Sequence, residues 1–146
     1  MVSCDTNILY PACSARSPFH QAARDFFSEH ARDDRFCVCE QALLELYCLL
    51  RNPVVSTPPL EPSVAVATVQ RFRQNPFWSV VDVVPGEGIM ERVWQRAAAD
   101  GFAFRRVFDV RLAMVLRHHG VTDFATRNTK DFRGCGFRRI WDPLGG

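Results

Sequence analysis

A chain of 146 residues with 47% hydrophobic and 23% charged residues has the size and composition of one globular domain, which excludes a disordered polymer and any need for covalent staples. No apolar run reaches the length of a membrane span, and Asp5, with no basic segment before it, interrupts the place of an apolar leader; both features argue against a membrane protein and a signal peptide. The net charge is only +2 but uneven: residues 105–146 carry nine basic and four acidic side chains, or +5, and residues 1–104 carry nine basic and twelve acidic, or −3.

In chain order, residues 2–4 read as a first strand. "SPFHQAARDFFSEHA" reads as an amphipathic helix with Phe19, Ala22, Ala23, Phe26 and Phe27 on one face, Ser17 as cap and Pro18 in the first turn. "RFCVC" is a second strand, and "QALLELYCLLRN" a helix closed by Pro53. The Pro-rich "NPVVSTPPLEPS" reads as an internal loop, because neither flank is long enough for a domain of its own, so residues 1–146 are expected to form one domain. "SVAVATVQRFRQN" is a further helix, and "WSVVDVV" a third strand ended by Pro85 and Gly86. "GIMERVWQRAAADG" is a helix with Ile89, Met90, Val93, Trp94 and Ala97 on one face. "FRRVFDVRLAMVLRHHG" is a helix stopped by Gly120. "VTDFAT" is a fourth strand and "RRIWD" a short fifth. This alternation implies a mainly parallel sheet of four or five strands covered by helices on both faces, with sites beyond the carboxyl ends of the strands.

The six cysteines form no C-x-x-C pair, and His20, His30, His118 and His119 do not fall at zinc-site spacing. Buried free thiols in a reducing cytoplasm are the expectation. Seventeen of the eighteen basic residues are Arg, which suits bidentate phosphate contact but also follows from a GC-rich genome.

Four acidic or polar stretches carry the chemistry. Asp5 ends the first strand, where it either caps the next helix or serves a site. Asp109 heads the apolar row Leu112, Ala113 and Leu116, so it needs an ion-pair partner in Arg105 or Arg106, or a metal. Glu45 lies nearly opposite the stripe Leu43, Leu46, Tyr47 and Leu50, beside Gln41, Cys48, Leu49 and Asn52; periodicity alone makes it a solvated residue. "FATRNTKDF" delivers Thr126, Asn128 and Asp131 to the end of the fourth strand, although Asn and Asp also favour turns for their own reasons. Carboxylates gathered without Lys partners repel one another, and a hard divalent cation such as Mg²⁺ or Mn²⁺ resolves this.

The set "CDTNILY", "LLELYCLLRNP", "VFDVRLAMVLRHHG" and "DFATRNTKDFRGCGFRRIWDPL" resembles a PIN domain and, more narrowly, the VapC-type toxins of bacterial toxin–antitoxin pairs. The resemblance spans nearly the whole chain and implies a three-layer α/β/α sandwich that cleaves RNA with Mg²⁺ or Mn²⁺ through a metal-activated water. By motif Asp5, Glu45 and Asp109 match its three invariant acids, which assigns them catalysis, and Thr6 and Asn7 match its supporting polar residues; metal binding chiefly by Asp5 and Asp109, with Thr126 and Asn128 in support, is the expectation for this chain. Many relatives carry Asp where this chain has Asn128; either Asp131 supplies the fourth acid or neutral Asn128 acts through water. The resemblance further implies a homodimer and a cognate antitoxin over the active-site groove. Arg127 and Arg133 are the expected RNA-steering residues. A PIN fold that only binds, without catalysis, is the alternative. A phosphatase with Asp5 as nucleophile is disfavoured, because the dehalogenase-like pattern wants a second Asp where Asn7 stands, and the only Lys is Lys130.

Overall fold

The short apolar runs form five strands of three residues each: β1 (Val2–Cys4), β2 (Cys37–Cys39), β3 (Ser79–Val81), β4 (Asp123–Ala125) and β5 (Arg139–Trp141). The computed structural model describes residues 1–145. Every pairing is parallel. β1 lies beside β4 and β4 beside β5, with Cys4 opposite Ala125 and Ala125 opposite Trp141. β2 lies beside β3, with Cys39 opposite Val81. One parallel bridge, Val2 to Phe36, joins the two groups, and the Val2 amide donates to the Arg35 carbonyl at 2.9 Å. The order across the sheet is therefore β3-β2-β1-β4-β5.

The helices are α1 (Thr6–Cys13), α2 (His20–His30), α3 (Glu40–Arg51), α4 (Pro62–Arg73), α5 (Ile89–Ala97) and α6 (Arg106–His118), with a 3-10 turn at Thr129–Phe132. The pleat sorts them into layers, because successive side chains of a strand point to opposite faces. Cys4, Phe36, Val38 and Ala125 face a core that includes Ile8 and Leu9 of α1, Phe26 and Phe27 of α2, Leu43 and Leu46 of α3 and Ala65 of α4. Cys37, Cys39, Val81 and Phe124 face the other core, with Ile89 of α5 and Leu112, Ala113 and Leu116 of α6. The result is the expected three-layer α/β/α sandwich. Among the described residues no helix is long and apolar enough to cross a membrane.

Some elements differ from expectation. α1 follows β1 directly, where no helix was foreseen. Pro11 lacks the amide that an interior helical residue donates, and burial of Ile8, Leu9 and Pro11 holds the helix in spite of it. α2 begins at His20 rather than beside Ser17, whose Oγ instead accepts from the Phe19 amide at 3.1 Å and closes a turn ahead of the helix. Trp94 is 61% exposed instead of packed with Ile89 and Val93. All six cysteines are free, as expected, but Cys48 is exposed on α3 rather than buried. Burial pushes the thiols of Cys37 and Cys39 up to about 11 and that of Cys13 up to about 12, so these stay protonated and inert.

The chain leaves β1 toward β2 and β3, then returns to the other side of β1 to form β4 and β5. That reversal opens a crevice at the carboxyl ends of β1 and β4, the place where open parallel sheets bind ligands.

Candidate active site at the switch point of the sheet

Asp5 stands at this crevice, one residue past β1. Its Oδ1 accepts from the Thr6 amide at 2.8 Å, which caps α1. Its Oδ2 accepts from the Thr126 hydroxyl, also at 2.8 Å, across the β1–β4 boundary. The capping and the site readings of Asp5 are thus compatible, since one oxygen caps while the group as a whole lines a cavity. Burial pushes the Asp5 carboxyl up to about 6. The hydrogen bonds from Thr126 and Thr6 oppose this, and the negative charges of Glu45 and Asp109 add to it.

Glu45 is half-buried on α3, not solvated as its periodicity implied. The polar side of α3 meets the start of α1 and the start of α6 instead of open water. The Thr6 hydroxyl lies 2.9 Å from Glu45 Oε2 and 3.1 Å from the Ala42 carbonyl. It has one proton to give, and the charged acceptor is the stronger. Gln41, one turn earlier, donates from Nε2 to the Phe108 carbonyl at 2.9 Å and, more weakly, to Glu45 Oε1 at 3.3 Å. Its Oε1 accepts from Arg111 Nη1 at 2.7 Å, while Arg111 Nη2 donates to Asp82 at 3.1 Å. Arg111 therefore decides which end of the Gln41 amide faces Glu45. Gln41 shares the side of α3 that carries Glu45, but no spacing marks Gln41 or Arg111 for a role; a Gln one turn before an acid is the signal that the sequence offers.

Asp109 projects from the first turn of α6 into the same cavity. An open space of about 500 Å³ is lined by Asp5, Thr6, Asn7, Glu45, Asp109 and Asn128 on its polar side and by Leu44, Cys48 and Leu49 of α3 on its apolar side. Burial raises the Asp109 carboxyl, and the charges of Asp131 and Glu45 raise it further; Arg106 lowers it only in part. Of the two alternatives for Asp109, the ion pair with Arg105 or Arg106 does not form among the described residues. Arg106 donates instead to the Asp131 carbonyl at 3.1 Å.

The loop after β4 splits the remaining candidates. Thr126 is fully buried and joins three elements: it donates to Asp5 and accepts from Asn7 Nδ2 at 3.4 Å and from the Asn128 amide at 3.0 Å. Asn7 Oδ1 accepts from the Arg127 amide at 3.1 Å, so Asn7 ties α1 to this loop. Asn128 lines the cavity, whereas Asp131 is exposed and lies outside its lining. Arg127 is already engaged: it pairs with Asp142 at 3.3 Å and stacks 3.7 Å above the Phe19 ring. Arg133 is exposed.

The donor set fits a hard cation that keeps part of its water shell. All the groups are oxygen donors, and among the described residues no Arg or Lys forms an ion pair with Asp5, Glu45, Asp109 or Asp131. No three acidic, His or Cys side chains there lie close enough to cage an ion. Mg²⁺ does not require such a cage, since it keeps several waters and takes one or two carboxylates.

No family model matches the chain. It is 49% identical over 144 residues to Ribonuclease VapC24 of Mycobacterium tuberculosis, in strains CDC 1551 and H37Rv alike, across 99% of this chain and 97% of that protein. Solved structures that share its fold include two described as follows. The Mycobacterium tuberculosis VapC20 toxin, described as cleaving the sarcin-ricin loop, aligns with a TM-score of 0.64 at 16% identity, over 85% of this chain and 87% of that one. FitAB bound to an IR36 DNA fragment aligns with a TM-score of 0.62 at 15% identity, over 100% and 97%. Near-complete coverage at 49% identity, together with an acid-lined crevice at the switch point of a parallel sheet, establishes that the chain belongs to the VapC family of PIN-fold ribonucleases.

Proposed function

We propose that this chain is a metal-dependent endoribonuclease and the toxin of a toxin–antitoxin pair, with Asp5, Glu45 and Asp109 as its catalytic acids. The observation that carries the reading is the convergence of these three acids on one open cavity without a cationic partner. Asp5 and Asp109 would hold Mg²⁺ or Mn²⁺, which supplies a nucleophilic water at neutral pH and stabilises charge on the phosphodiester. Glu45, held by Thr6 and oriented by Gln41, accepts a hydrogen bond from the attacking water and aims it. The water oxygen would bond to phosphorus as its proton passes to the Glu45 carboxylate, the bond to the leaving ribose oxygen would break, and that oxygen would take a proton from solvent. Thr126 and Asn7 keep Asp5 and the loop after β4 in register. Arg133 is free to meet the RNA backbone; Arg127 would have to leave Asp142 to do so.

The same reading makes the chain one nuclease domain that works in the cytoplasm as a homodimer and is restrained by a cognate antitoxin over the groove. Purified protein should cleave RNA with Mg²⁺ or Mn²⁺, stop in EDTA and resume when metal is returned; full activity in EDTA overturns the metal reading. Expression of the chain alone should arrest growth, and co-expression with its antitoxin should relieve it.

Arg111 is a positioning residue in this account. Arg111→Met keeps the stem but frees the Gln41 amide to turn, and cleavage is expected to fall about tenfold, in kcat rather than KM. Arg111→Lys should recover part of the loss. An unchanged kcat would remove Arg111 from the chain of contacts that sets Glu45.

A further inference from the structure

The ending Trp141-Asp142-Pro143 is a motif of the sequence to which the mechanism gives no task. Trp141 closes β5, and its carbonyl accepts from the Thr126 amide at 2.9 Å, at the point where the chain leaves β4 for the cavity. The Asp142 carboxylate is mostly buried. Its Oδ1 accepts from the Leu144 amide at 2.9 Å, and its Oδ2 accepts from Arg127 Nε at 3.3 Å. The Arg127 guanidinium lies 3.7 Å from the centre of the Phe19 ring, at the entry of α2, and Phe19 packs against the core under that helix. The Arg127 amide donates to Asn7 Oδ1 of α1 at 3.1 Å. Arg127 is thus held by α1, by the entry of α2 and by the turn after β5. Its two chain neighbours belong to the site: Thr126 donates to Asp5 at 2.8 Å, and Asn128 lines the acidic cavity, which Arg127 does not.

We infer that the Arg127–Asp142 pair, closed over Phe19, is a bolt that fixes the loop after β4, so that Arg127 positions Thr126 and Asn128 instead of contacting RNA. The inference rests on the ribonuclease reading and adds two positioning residues to that same site. The Thr126 hydroxyl has one proton, and Asp5 receives it while the Asn128 amide and Asn7 Nδ2 donate to the same oxygen. A drift of the chain at residue 127 would draw the Asn128 amide away from Thr126 and the Asn128 side chain away from the cavity. The group that blocks this drift has to act from outside the cavity, and the Arg127 guanidinium does so. Its planar face stacks on a ring while its edge still donates to a carboxylate. A phosphate contact by Arg127 would leave the Asp142 carboxylate mostly buried and without a cation, which is costly.

The test compares the wild type, Arg127→Met, Asp142→Asn and the double variant on an RNA that the wild type cleaves, over a range of salt, and follows amide hydrogen exchange in the metal-free proteins. Arg127→Met keeps the stem over Phe19 but not the ion pair; kcat should fall about tenfold, with KM and its salt slope unchanged. Asp142→Asn should lower kcat in the same way but less, and the double variant should be no slower than Arg127→Met. The amides of residues 127 and 128 should exchange at least about tenfold faster in Arg127→Met, while those of β2 keep their wild-type rates. Arg127→Lys, which keeps the charge and loses the flat stack, should recover only a small part of kcat. A raised KM with a shallower salt slope and an intact kcat, or full rescue by Lys, makes Arg127 an RNA contact and overturns the inference. Additive losses also overturn it, as does faster exchange throughout the fold, which would mark a general loss of stability. If Arg127→Met does not fold, Asp142→Asn carries the kinetic and exchange readouts alone. A wild type that cleaves no RNA overturns the ribonuclease reading itself; exchange at residues 127 and 128 then still decides whether the bolt exists.

Discussion

Asp5→Asn is expected to abolish RNA cleavage and, in the same protein, to raise the thermal stability of the metal-free fold at neutral pH. On the proposed mechanism Asp5 is a cation-binding carboxylate, and losing such a group should cost several kcal/mol of transition-state stabilisation, or at least about 100-fold in rate. The gain in stability follows from burial. The Asp5 carboxyl moves from its ordinary value near 3.8 to about 6 in the folded chain, chiefly through desolvation. The folded state therefore binds a proton more tightly than the unfolded state between those values. Stability of the metal-free wild type should fall as pH rises through this window and stay lower above it. Asp109 is shifted in the same direction and adds to the trend. Asn removes the buried charge at position 5, and its side-chain oxygen can still accept from the Thr6 amide, because Asn caps helices about as well as Asp. Thr126 already accepts from Asn7 and Asn128, so a new amide donor at position 5 crowds it and takes back part of the gain. The net effect should be roughly 1 kcal/mol, a rise of about 2–4 °C in Tm in EDTA at pH 7, absent at pH 4. Saturating Mg²⁺ should reverse the order by stabilising only the wild type. A variant less stable than the wild type at pH 7 in EDTA would show that the Asp5 charge supports the fold.

Calorimetry without RNA is expected to show one tight cation. Asn128 lines the cavity but has no charge, and charged Asp131 lies outside the lining, so one acid of a second site is missing from the place where it would bind. Asn128→Asp should therefore tighten metal binding by roughly tenfold or more, by placing a carboxylate where a neutral amide now stands. Asp131→Asn should lower cleavage only a few-fold, through its field on Asp109, whereas Asp109→Asn should cost on the order of 100-fold or more. RNA phosphate oxygens would complete any second site. Two sites of similar high affinity in the wild type would sink this account and make Asp131 a full ligand.

The strands and most helices were legible because a half-buried helix has one apolar stripe and a buried parallel strand is a short apolar run. α1 was not, since Pro11 interrupts it and Asp5-Thr6-Asn7 reads as a turn until Ile8 and Leu9 are known to be buried. Trp94 shows the limit of periodicity at a helix edge, where a residue in phase with the stripe is left outside the core. Glu45 shows the deeper limit. Periodicity tells which side of α3 is polar, not what that side meets; here it meets Thr6 and, through Gln41, α6, all distant in sequence. Motif resemblance named the acids Asp5, Glu45 and Asp109, and the fold brings them to one cavity. It could not show that Arg127 is engaged with Asp142 and Phe19, or that Arg111 reaches Glu45 through Gln41, because both depend on rotamers and distances that no spacing encodes.

The hydrogen bond from Thr126 to Asp5 joins residues 121 positions apart, and the Asp5 amide donates to Ala125 across nearly the same span. A contact of that range closes late, after the loop entropy of everything between has been spent. During synthesis Asp5 emerges first, yet it waits for β4 before either its backbone or its carboxylate is fixed. A nascent chain that has not yet exposed residue 126 carries all three acids and no assembled site. The order of translation thus delays this enzyme's onset, and the cell is spared its chemistry for as long as the last strands remain in the ribosome.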